Sequence, residues 1–514
     1  MKKFNDSFHF VISHAKSYGF IFPSCDIYDG ISAIYDYGPY GILLKNNIKD
    51  YWWKSMIQFH RNIVGIDTSI LMHPTIWKAS GHVEAFNDPL IDNKDSRRRY
   101  RADLLVEEYC DRIEHKIHKT VEKARKILGE EFDEQNFFAT SPKIAEYRRK
   151  KESIMKRLAM AMEKENLNDI RNLIEELEIR DPESGSKSWT DVREFNLMFK
   201  THFGSLRENA LELYLRPETA QGIFVNFSNV SKSTRMKIPF GIAQIGKAFR
   251  NEIIARQFIF RMREFEQMEM QFFVAPAQER EWYEYWKQTR FKWHLSLAID
   301  PHFYRFHDHD KLAHYANAAT DIEFLFPFGF KELEGIHSRT DFDLKNHQKY
   351  SGKKLQYFDS DRHEHYTPYV IETSIGLDRM FLGLFSSSLK EEEFSKGNFR
   401  RVLKLPIALA PIKAAILPLV KNDGLPELAE KIFNELKWKY MVIFDENQSI
   451  GKRYRRQDAI GTPFCFTVDH HSLQDYTVTV RHRDSMRQER LYINKLTYLL
   501  EDKMDIQKLL LNNM

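Results

Sequence analysis

The segment FGIAQIGKAFRNEIIARQFIFRMREFEQMEMQFF, residues 240–273, carries the densest chemistry in the chain. It reads as strand, polar loop, strand: an antiparallel hairpin with a long connection. In the second strand, period-two alternation sets Arg263, Phe265, Gln267 and Glu269 on one face and Glu264, Glu266, Met268 and Met270 on the other. An aromatic ring, an amide and a carboxylate along one strand suit a pocket for a flat base beside a cationic amine. A sheet laced with cross-strand ion pairs has the same pattern, and the period alone does not choose. A second segment, TPYVIETSIGLDRMFLGLF at 367–385, runs a strand bearing Glu372 and Ser374 into Gly376, where a helix opens with Arg379 in its first turn. A cation there opposes the helix macrodipole and calls for an anion, either a phosphate or a structural carboxylate.

The elements that must position these groups follow from composition and pattern. A length of 514 residues suggests two to four domains. Hydrophobic residues at 42% and aromatics at 14% suffice for large cores. The longest apolar runs, FLGLF and IALAPIKAAILPLV, are short or broken by Lys and Pro, below the roughly 18 residues of a membrane span. The basic start, MKKFNDSFHFVISHAK, is interrupted by polar residues and does not read as a signal peptide, so a cytoplasmic protein is expected. Three scattered cysteines, Cys25, Cys110 and Cys465, argue against a disulfide framework and a structural zinc cluster. HDHDKLAHY and DRHEHY lack the HExxH spacing and read as surface or hydrogen-bonding histidines. Net charge is only +4, but GKRYRRQD at 451–458 and TVRHRDSMRQER at 479–490 gather Arg and Lys near the C-terminus. That patch is either a solvated face or a surface for RNA phosphates and bases.

Along the chain, a turn at Gly38-Pro39 leads into an amphipathic helix with Ile42, Leu43, Ile48, Tyr51 and Trp52, and NIVGIDTSILMHP reads as a strand or strand pair. Val106, Cys110, Ile113, Ile117, Val121, Ala124 and Leu128 step by three and four, as do Ile154, Leu158 and Met162. With 136–142 read as a turn, this is an inserted helical hairpin. Residues 191–385 are mostly strand, with helices over 277–299 and 376–386. SLKEEEFSKGN reads as a linker. Beyond Leu405, strands and helices alternate: IKAAILPLV, LPELAEKIFNELKW, YMVIFDE, IGKRYRRQDAIG, PFCFTVD and YTVTVRHRD predict a mixed sheet with packed helices.

The hairpin and the strand–helix segment together resemble motifs 2 and 3 of class II aminoacyl-tRNA synthetases. FPSCDIYDGISAIYDYGPYGILLKNNIKDYWW, LYLRPETAQGIFVNF, KELEGIHSRTDFDL, DENQSIGKRYRRQDAIGTP and TVRHRDS extend the likeness to the homodimeric glycyl-tRNA synthetase family. It covers nearly the whole chain except the insertion, about 111–180, and the extreme C-terminus. The resemblance implies an α+β architecture. A class II catalytic domain, an antiparallel sheet flanked by helices, would occupy 1–110, with motif 1 at the dimer interface, and 191–390. A helical insertion would lie at 111–190, a linker at 391–404 and an α/β anticodon-binding domain with a mixed sheet at 405–514.

It also implies roles. Arg250, Glu252 and Arg379 would be catalytic. Arg250 would bind the α-phosphate of ATP, Glu252 would lie beside the adenine and the reacting centre, and Asn251, Phe260, Leu333 and Gly376 would line the nucleotide. Arg261 would reach the outer phosphates, Phe265 would stack on adenine, Arg379 would hold the γ-phosphate and Glu332 would place Mg²⁺. Glu218, Glu269, Glu372 and Ser374, with Phe265 and Gly376, would surround glycine, and Arg101 would meet its carboxylate. Arg453, Arg455, Arg481 and Arg483 would touch tRNA(Gly). Activating glycine with ATP needs no side-chain nucleophile, only in-line positioning and charge neutralisation. Larger acids are excluded by bulk, so no editing site is required.

The chain departs from the family pattern in three places. Ile254-Ala255 stand where a Thr-Pro or Ser-Pro pair is usual, Thr373 replaces a proline in motif 3, and Asp181 stands where relatives often have Cys. The first two are expected to alter loop stiffness. A nucleic-acid-binding protein without catalysis, or a synthetase for another small amino acid, are the competing readings. The set Arg250, Glu252, Glu332 and Arg379 speaks for ATP chemistry, and the three glutamates with Ser374 speak for glycine.

Overall fold

The alternating runs Phe240–Phe249 and Glu264–Val274 pair as antiparallel neighbours within a seven-stranded sheet in the computed structural model. The structure describes residues 2–129, 132–164, 166–204, 210–253, 257–297, 299–309, 312, 316–361 and 363–511. The chain divides into two units. One holds Met1–Ser80, Lys200–Phe249 and Arg256–Met514; the other holds Gly81–Phe199 and Arg250–Ala255.

In the first unit, the sheet order is Tyr304–Asp308, Ala318–Phe326, Gly329–Thr340, Tyr369–Gly376, Glu264–Val274, Phe240–Phe249 and Ile63–Gly65. All neighbours are antiparallel except the last pair. The register sets Glu269 opposite Ser374, Gln271 opposite Glu372 and His337 opposite Glu372 on its other side. Alternation then sends Met268, Met270, Phe272, Ile371 and Ile375 to the opposite face, where they join one core. Each such side chain contributes about 1.5–3 kcal/mol on full burial.

The helix Glu279–Leu295 is part of that core through Tyr283, Trp286 and Trp293. It is also tied electrostatically, because Arg290 Nε lies 2.5 Å and His294 Nε2 2.7 Å from the carboxylate of Glu334. Burial alone pushes Glu334 up, but the Arg290 charge and the His294 hydrogen bond outweigh it and hold the carboxyl below its ordinary value. The helix Pro39–Trp53 starts on proline at its first position, where no backbone donor is missed. Its buried stripe is Gly41, Leu44, Lys45, Ile48, Tyr51 and Trp52, whereas Ile42, expected on that stripe, is 41% exposed. Lys45 can be buried because Glu266 and Asp378 lie 2.6 and 3.0 Å from its Nζ. A Cβ on Gly41 would lie 1.9 Å from the carbonyl oxygen of Phe20, so this close approach requires glycine. NIVGIDTSILMHP does give two strands, Ile63–Gly65 and Leu71–Met72, but in different sheets.

The segment read as a linker is a hairpin, Leu389–Ser395 paired with Asn398–Leu403. Its charges are not solvated spacers. Arg400, 4% exposed, donates to Asp458 at 2.9 Å and to Glu392 at 2.7 Å. Beyond it lies a mixed five-stranded sheet in the order Val442–Phe444, Ala414–Pro418, Phe464–Val468, Thr477–His482, Gln488–Tyr492, with parallel pairs first and antiparallel pairs last. The helix Leu425–Leu436 packs Leu425, Ala429, Ile432 and Leu436 against Ile416, Phe464 and Phe466.

The second unit is a three-stranded antiparallel sheet, Arg99–Arg101, Asn87–Asp92 and Arg193–Asn196, with helices Ala102–Leu128, Glu134–Thr140, Pro142–Glu163 and Leu167–Glu176. It is wider than the 111–190 insertion expected, because the strands before and after the helices pair with one another. The expected turn at 136–142 is largely helix: Asp133 accepts the N–H of Asn136 at 3.1 Å as a cap, and Pro142 opens the next helix. Asp181, 2% exposed, accepts from Tyr100 and Ser184 hydroxyls and from the N–H groups of Glu183 and Ser184, at 3.2 and 3.3 Å for the last two. A carboxylate at this position is thus a hydrogen-bond hub.

Breaking one buried ionic link should reveal its weight. Asp458, 1% exposed, also receives both Arg481 nitrogens at 2.8 and 2.9 Å. Asp458→Ala leaves the buried Arg481 guanidinium without its carboxylate and Arg400 with Glu392 alone, and is expected to lower stability by about 3–5 kcal/mol. Chemical denaturation measures this, and a loss under about 1 kcal/mol contradicts the buried-pair reading.

Candidate active site

On the polar face of the large sheet, the register gathers Glu269 and Glu372 with their donors, and the loop before the helix Ala220–Thr234 carries a third carboxylate, Glu218. Gln271 Nε2 donates to Glu269 at 3.0 Å and to Glu372 at 2.6 Å, bridging the two side chains. Thr219, just before the helix Ala220–Thr234, gives its hydroxyl proton to Glu269. Glu372 accepts in addition from His337 Nδ1 at 2.8 Å and from Arg339 Nη1 at 3.1 Å. Glu218 accepts from Gln221 Nε2 at 2.9 Å, and Gln221 is held in turn by Asp343 and His347. Gln267 donates to the Ser374 hydroxyl at 3.4 Å. Glu269 and Glu372 are 2% and 4% exposed, so these are buried groups.

Burial and partners drive the two carboxyls apart. Burial pushes Glu269 well above the ordinary carboxylate range, and the negative charges of Glu372 and Glu218 push it further. Burial acts on Glu372 too, but the Arg339 charge and the His337 hydrogen bond outweigh it and hold that carboxyl far below its ordinary value. His337 shifts upward, its burial overcome by the hydrogen bond and charge of Glu372.

LRPET is pinned from below. Arg216, 1% exposed, donates to the carbonyls of Lys247, Thr68 and Ser69 at 2.6, 2.7 and 3.3 Å. Gly246 makes room for it, since a Cβ there would lie 2.2 Å from Arg216 Nη2.

The nucleotide candidates of this unit surround the start of the helix Leu377–Ser388, capped by Gly376. Arg379 Nη1 lies 2.9 Å from the Glu332 carboxylate and donates to the Glu332 carbonyl at 3.1 Å. Its guanidinium stands 4.4 Å from the Phe260 ring centre. The helix start has its own anion, because buried Asp378 accepts from Tyr37, from Lys45 and from the Glu266 N–H. Phe265 lies half-buried on the strand face that carries Gln267 and Glu269, and Arg261 follows the turn Phe258–Phe260. Phe260 and Leu333, expected to line the nucleotide, are 7% and 1% exposed members of the core; Phe260 is the floor under Arg379.

The second unit holds Arg101, Arg250, Asn251 and Glu252. Arg101 pairs with Asp103 at 2.5 Å and with Asp88 at 3.1 Å. The Arg250 guanidinium lies 5.4 Å from the Phe86 ring centre, the Asn251 N–H donates to the Leu197 carbonyl at 2.7 Å, and Glu252 is 8% exposed. Ile254 and Ala255 lie outside the described residues. Among the described residues, no group of three or more His, Cys, Asp or Glu is set to hold a metal ion.

Three family models match the chain. A model of the tRNA synthetase class II core domain (G, H, P, S and T) covers residues 199–388, one of the glycyl-tRNA synthetase insertion domain 1 covers 88–197, and one of an anticodon-binding domain covers 413–503. The glycine–tRNA ligase of Chlorobaculum tepidum is 50% identical over 495 residues, spanning 96% of this chain and 99% of the relative. That of Staphylococcus haemolyticus is 49% identical over 497 residues, spanning 96% and 98%. The chain belongs to the glycyl-tRNA synthetase family. A solved structure described as the RNA binding domain of threonyl-tRNA synthetase from Cryptosporidium parvum Iowa II shares the fold, with a TM-score of 0.58 at 16% identity over 95% of this chain and 97% of the other.

Against that glycyl-tRNA synthetase frame, two expectations change. Three of the C-terminal arginines are not on a solvated face: Arg453, Arg481 and Arg483 are 2%, 6% and 2% exposed, whereas Lys452, Arg487 and Arg490 are exposed. Arg453 donates to the Pro418 and Leu419 carbonyls, Arg481 to Asp458, and Arg483 to the Gly461 and Leu405 carbonyls. They hold the domain together, and Arg455 alone of the four is exposed. Thr373 stands inside a central strand, paired with Met270 on one side and Ile336 on the other, so it has no loop to stiffen. Sequence reasoning passed over Gln271, Thr219, His337 and Arg339 as site residues. Gln271 continues the alternation of Gln267 and Glu269, and that was the available signal.

Glu269 gives a signed pH prediction. Because its folded value is raised, its contribution to stability is fully present below the unfolded value of about 4.3 and is lost as pH rises through the folded one. Glu269→Gln is therefore expected to gain stability relative to the parent as pH rises, by up to about 1.4 kcal/mol per unit. Denaturation midpoints at acid and neutral pH check this; a constant difference between the two proteins contradicts it.

Proposed function

We propose that the chain activates glycine with ATP and transfers it to the 3′ end of tRNA(Gly), with the roles below for its residues. The observation that carries the glycine assignment is the trio of buried Glu269 and Glu372 with half-buried Glu218, fixed by Thr219, Gln221, Gln271, His337 and Arg339. A buried negative site of this kind matches an ammonium group, and glycine offers nothing else to grip except its carboxylate. Ser374 and Gly376 border it, and Arg101 takes the carboxylate side. Alanine and larger acids are excluded by bulk.

In the first step, a glycine carboxylate oxygen attacks the α-phosphorus of ATP and diphosphate leaves. Arg250 neutralises the α-phosphate, Glu252 lies beside the adenine and the reacting centre with Asn251, and Phe265 stacks on the adenine. Arg261 takes the outer phosphates, and Arg379 the γ-phosphate. Positioning and charge carry the step, with no covalent enzyme intermediate. Glu332, half-exposed and already paired with Arg379, fits a single carboxylate contact to a Mg²⁺ held mainly by phosphates and water. Magnesium supplies further charge neutralisation when bound. In the second step, the terminal ribose hydroxyl of the tRNA attacks the glycyl carbonyl and AMP leaves. Arg455 faces solvent on the domain at 405–514, which we assign to the anticodon. The catalytic body is assigned to 1–110 and 191–390, and the work to the cytoplasm.

We further assign a homodimer to the region of motif 1. Phe22, Ile27, Tyr28, Ile31, Ile42, Trp53 and Phe59 are all exposed there, Ile27 and Tyr28 at 86% and 80%. Ile27→Asp with Tyr28→Asp is expected to halve the mass seen by light scattering; an unchanged mass, or a monomeric parent, contradicts the assignment.

ATP–pyrophosphate exchange tests the activity. Exchange is expected with glycine and not with alanine or serine. Arg379→Ala is expected to lower it by about 10²–10³-fold while tRNA binding persists. No exchange with glycine overturns the function, and equal exchange with alanine overturns the specificity.

A further inference from the structure

Glu269 and Glu372 share a pocket and a bridging amide, yet their remaining partners are unequal. Glu372 has two cationic donors, His337 and Arg339. Glu269 has a hydroxyl and an amide, and among the described residues no cationic side chain donates to it. Arg216, just past the strand Leu211–Leu215, adds a nearby positive charge, but its Nε and Nη1 donate to the carbonyls of Lys247, Thr68 and Ser69 and not to Glu269. Arg339 is shared with Asp343, to which it makes contacts of 2.8 and 3.1 Å. His337 also faces Asp321 and the ring of His309, 6.2 Å away. From the loop before the helix Ala220–Thr234, Glu218 adds another negative charge. Gln271 Nε2 spans Glu269 and Glu372 at 3.0 and 2.6 Å, so the two carboxyls face each other across a single nitrogen.

Two buried carboxylates sharing one amide nitrogen, one of them without a cation, cannot both be ionised in an empty pocket at moderate cost. From this geometry we infer that Glu269 carries a proton in the unliganded enzyme, and that the ammonium group of glycine displaces it to solvent on binding. The inference rests on the glycine assignment above and adds a proton to its stoichiometry.

The exchange balances. The neutral Glu269 carboxyl loses its proton to the buffer and becomes a carboxylate. Glycine arrives as a zwitterion, remains one, and offers three N–H donors to Glu269, Glu372 and Glu218. The proton that the empty pocket needs for neutrality is replaced by a cation that only a substrate amine brings. Thr219 and Gln271 act as positioning residues, since their donors aim the Glu269 carboxyl in both states. Glycine affinity then rises with pH, by up to about tenfold per unit while the free enzyme is protonated and the complex is not.

Titration calorimetry of the full-length protein with glycine, in buffers of one pH and different ionisation enthalpies, reads the proton directly. The expected slope approaches one proton released per glycine bound at neutral pH. Glu269→Gln is expected to bind more weakly and to lose the release. His337→Asn, which keeps a donor toward Glu372 but cannot titrate, is expected to retain it. Heats independent of buffer in the parent protein overturn the inference, as does release that survives in Glu269→Gln or vanishes in His337→Asn. Should Glu269→Gln bind too weakly to titrate, the parent's KM for glycine in pyrophosphate exchange must fall between about pH 6 and pH 8. A flat KM overturns the inference as well. Failure of the glycine assignment looks different: no heat with glycine in any buffer and no exchange.

Discussion

The side-chain amide of Gln271, shared between two buried carboxyls, is the constraint around which the catalytic body is organised. It can bridge Glu269 and Glu372 only if the Glu264–Val274 and Tyr369–Gly376 strands hold the register that places Gln271 opposite Glu372. A slip of one residue would send Glu269 and Glu372 into the apolar core and Met268 and Met270 into the pocket. The methionine and isoleucine face therefore does more than exclude water: it fixes which carboxyls can meet. The Glu334–Arg290–His294 cluster locks the neighbouring strand, which carries His337 and Arg339, onto the helix Glu279–Leu295.

A second set of charges organises the nucleotide side. Arg379 rests on the Phe260 ring and is held by Glu332, so the direction of its head group is fixed within the protein. Glu332 holds Arg379 here and, under the proposed function, would also serve as a metal contact. The helix beneath is anchored by Asp378, whose hydrogen bonds reach Tyr37, Lys45 and the backbone of Glu266. Lys45 sits on the same helix whose flanking residues expose the apolar surface assigned to dimerisation. The helix Pro39–Trp53 and the helix that bears Arg379 are thus joined by buried ion pairs in one unit.

Much of this was legible in the residues. The alternation from Arg263 to Met270 foretold that Gln267 and Glu269 share a face opposite Met268 and Met270, and Gly376 before Arg379 foretold the helix start. The mixed C-terminal sheet followed from its apolar runs. What misled was charge. A cluster of arginines such as Arg453, Arg481 and Arg483 looks the same in a sequence whether it faces water or a ring of carbonyls, because burial depends on partners distant in the chain. Arg400 and Glu392 read as a solvated linker for the same reason, since Asp458 lies far along the sequence. Lys45 displaced an isoleucine from the expected stripe because two carboxylates waited for it. Gln271 was invisible as a bridge, since a glutamine in a strand declares its partners only through register.

The central claim is that the three glutamates form the seat of the substrate's ammonium group. A crystal structure of the protein with a non-hydrolysable glycyl-adenylate analogue tests it most directly. The account predicts the amino nitrogen within hydrogen-bonding distance of Glu269 and Glu372, with the phosphate oriented toward the arginines. An amino group pointing away from both carboxylates, or an analogue bound elsewhere in the fold, would contradict it.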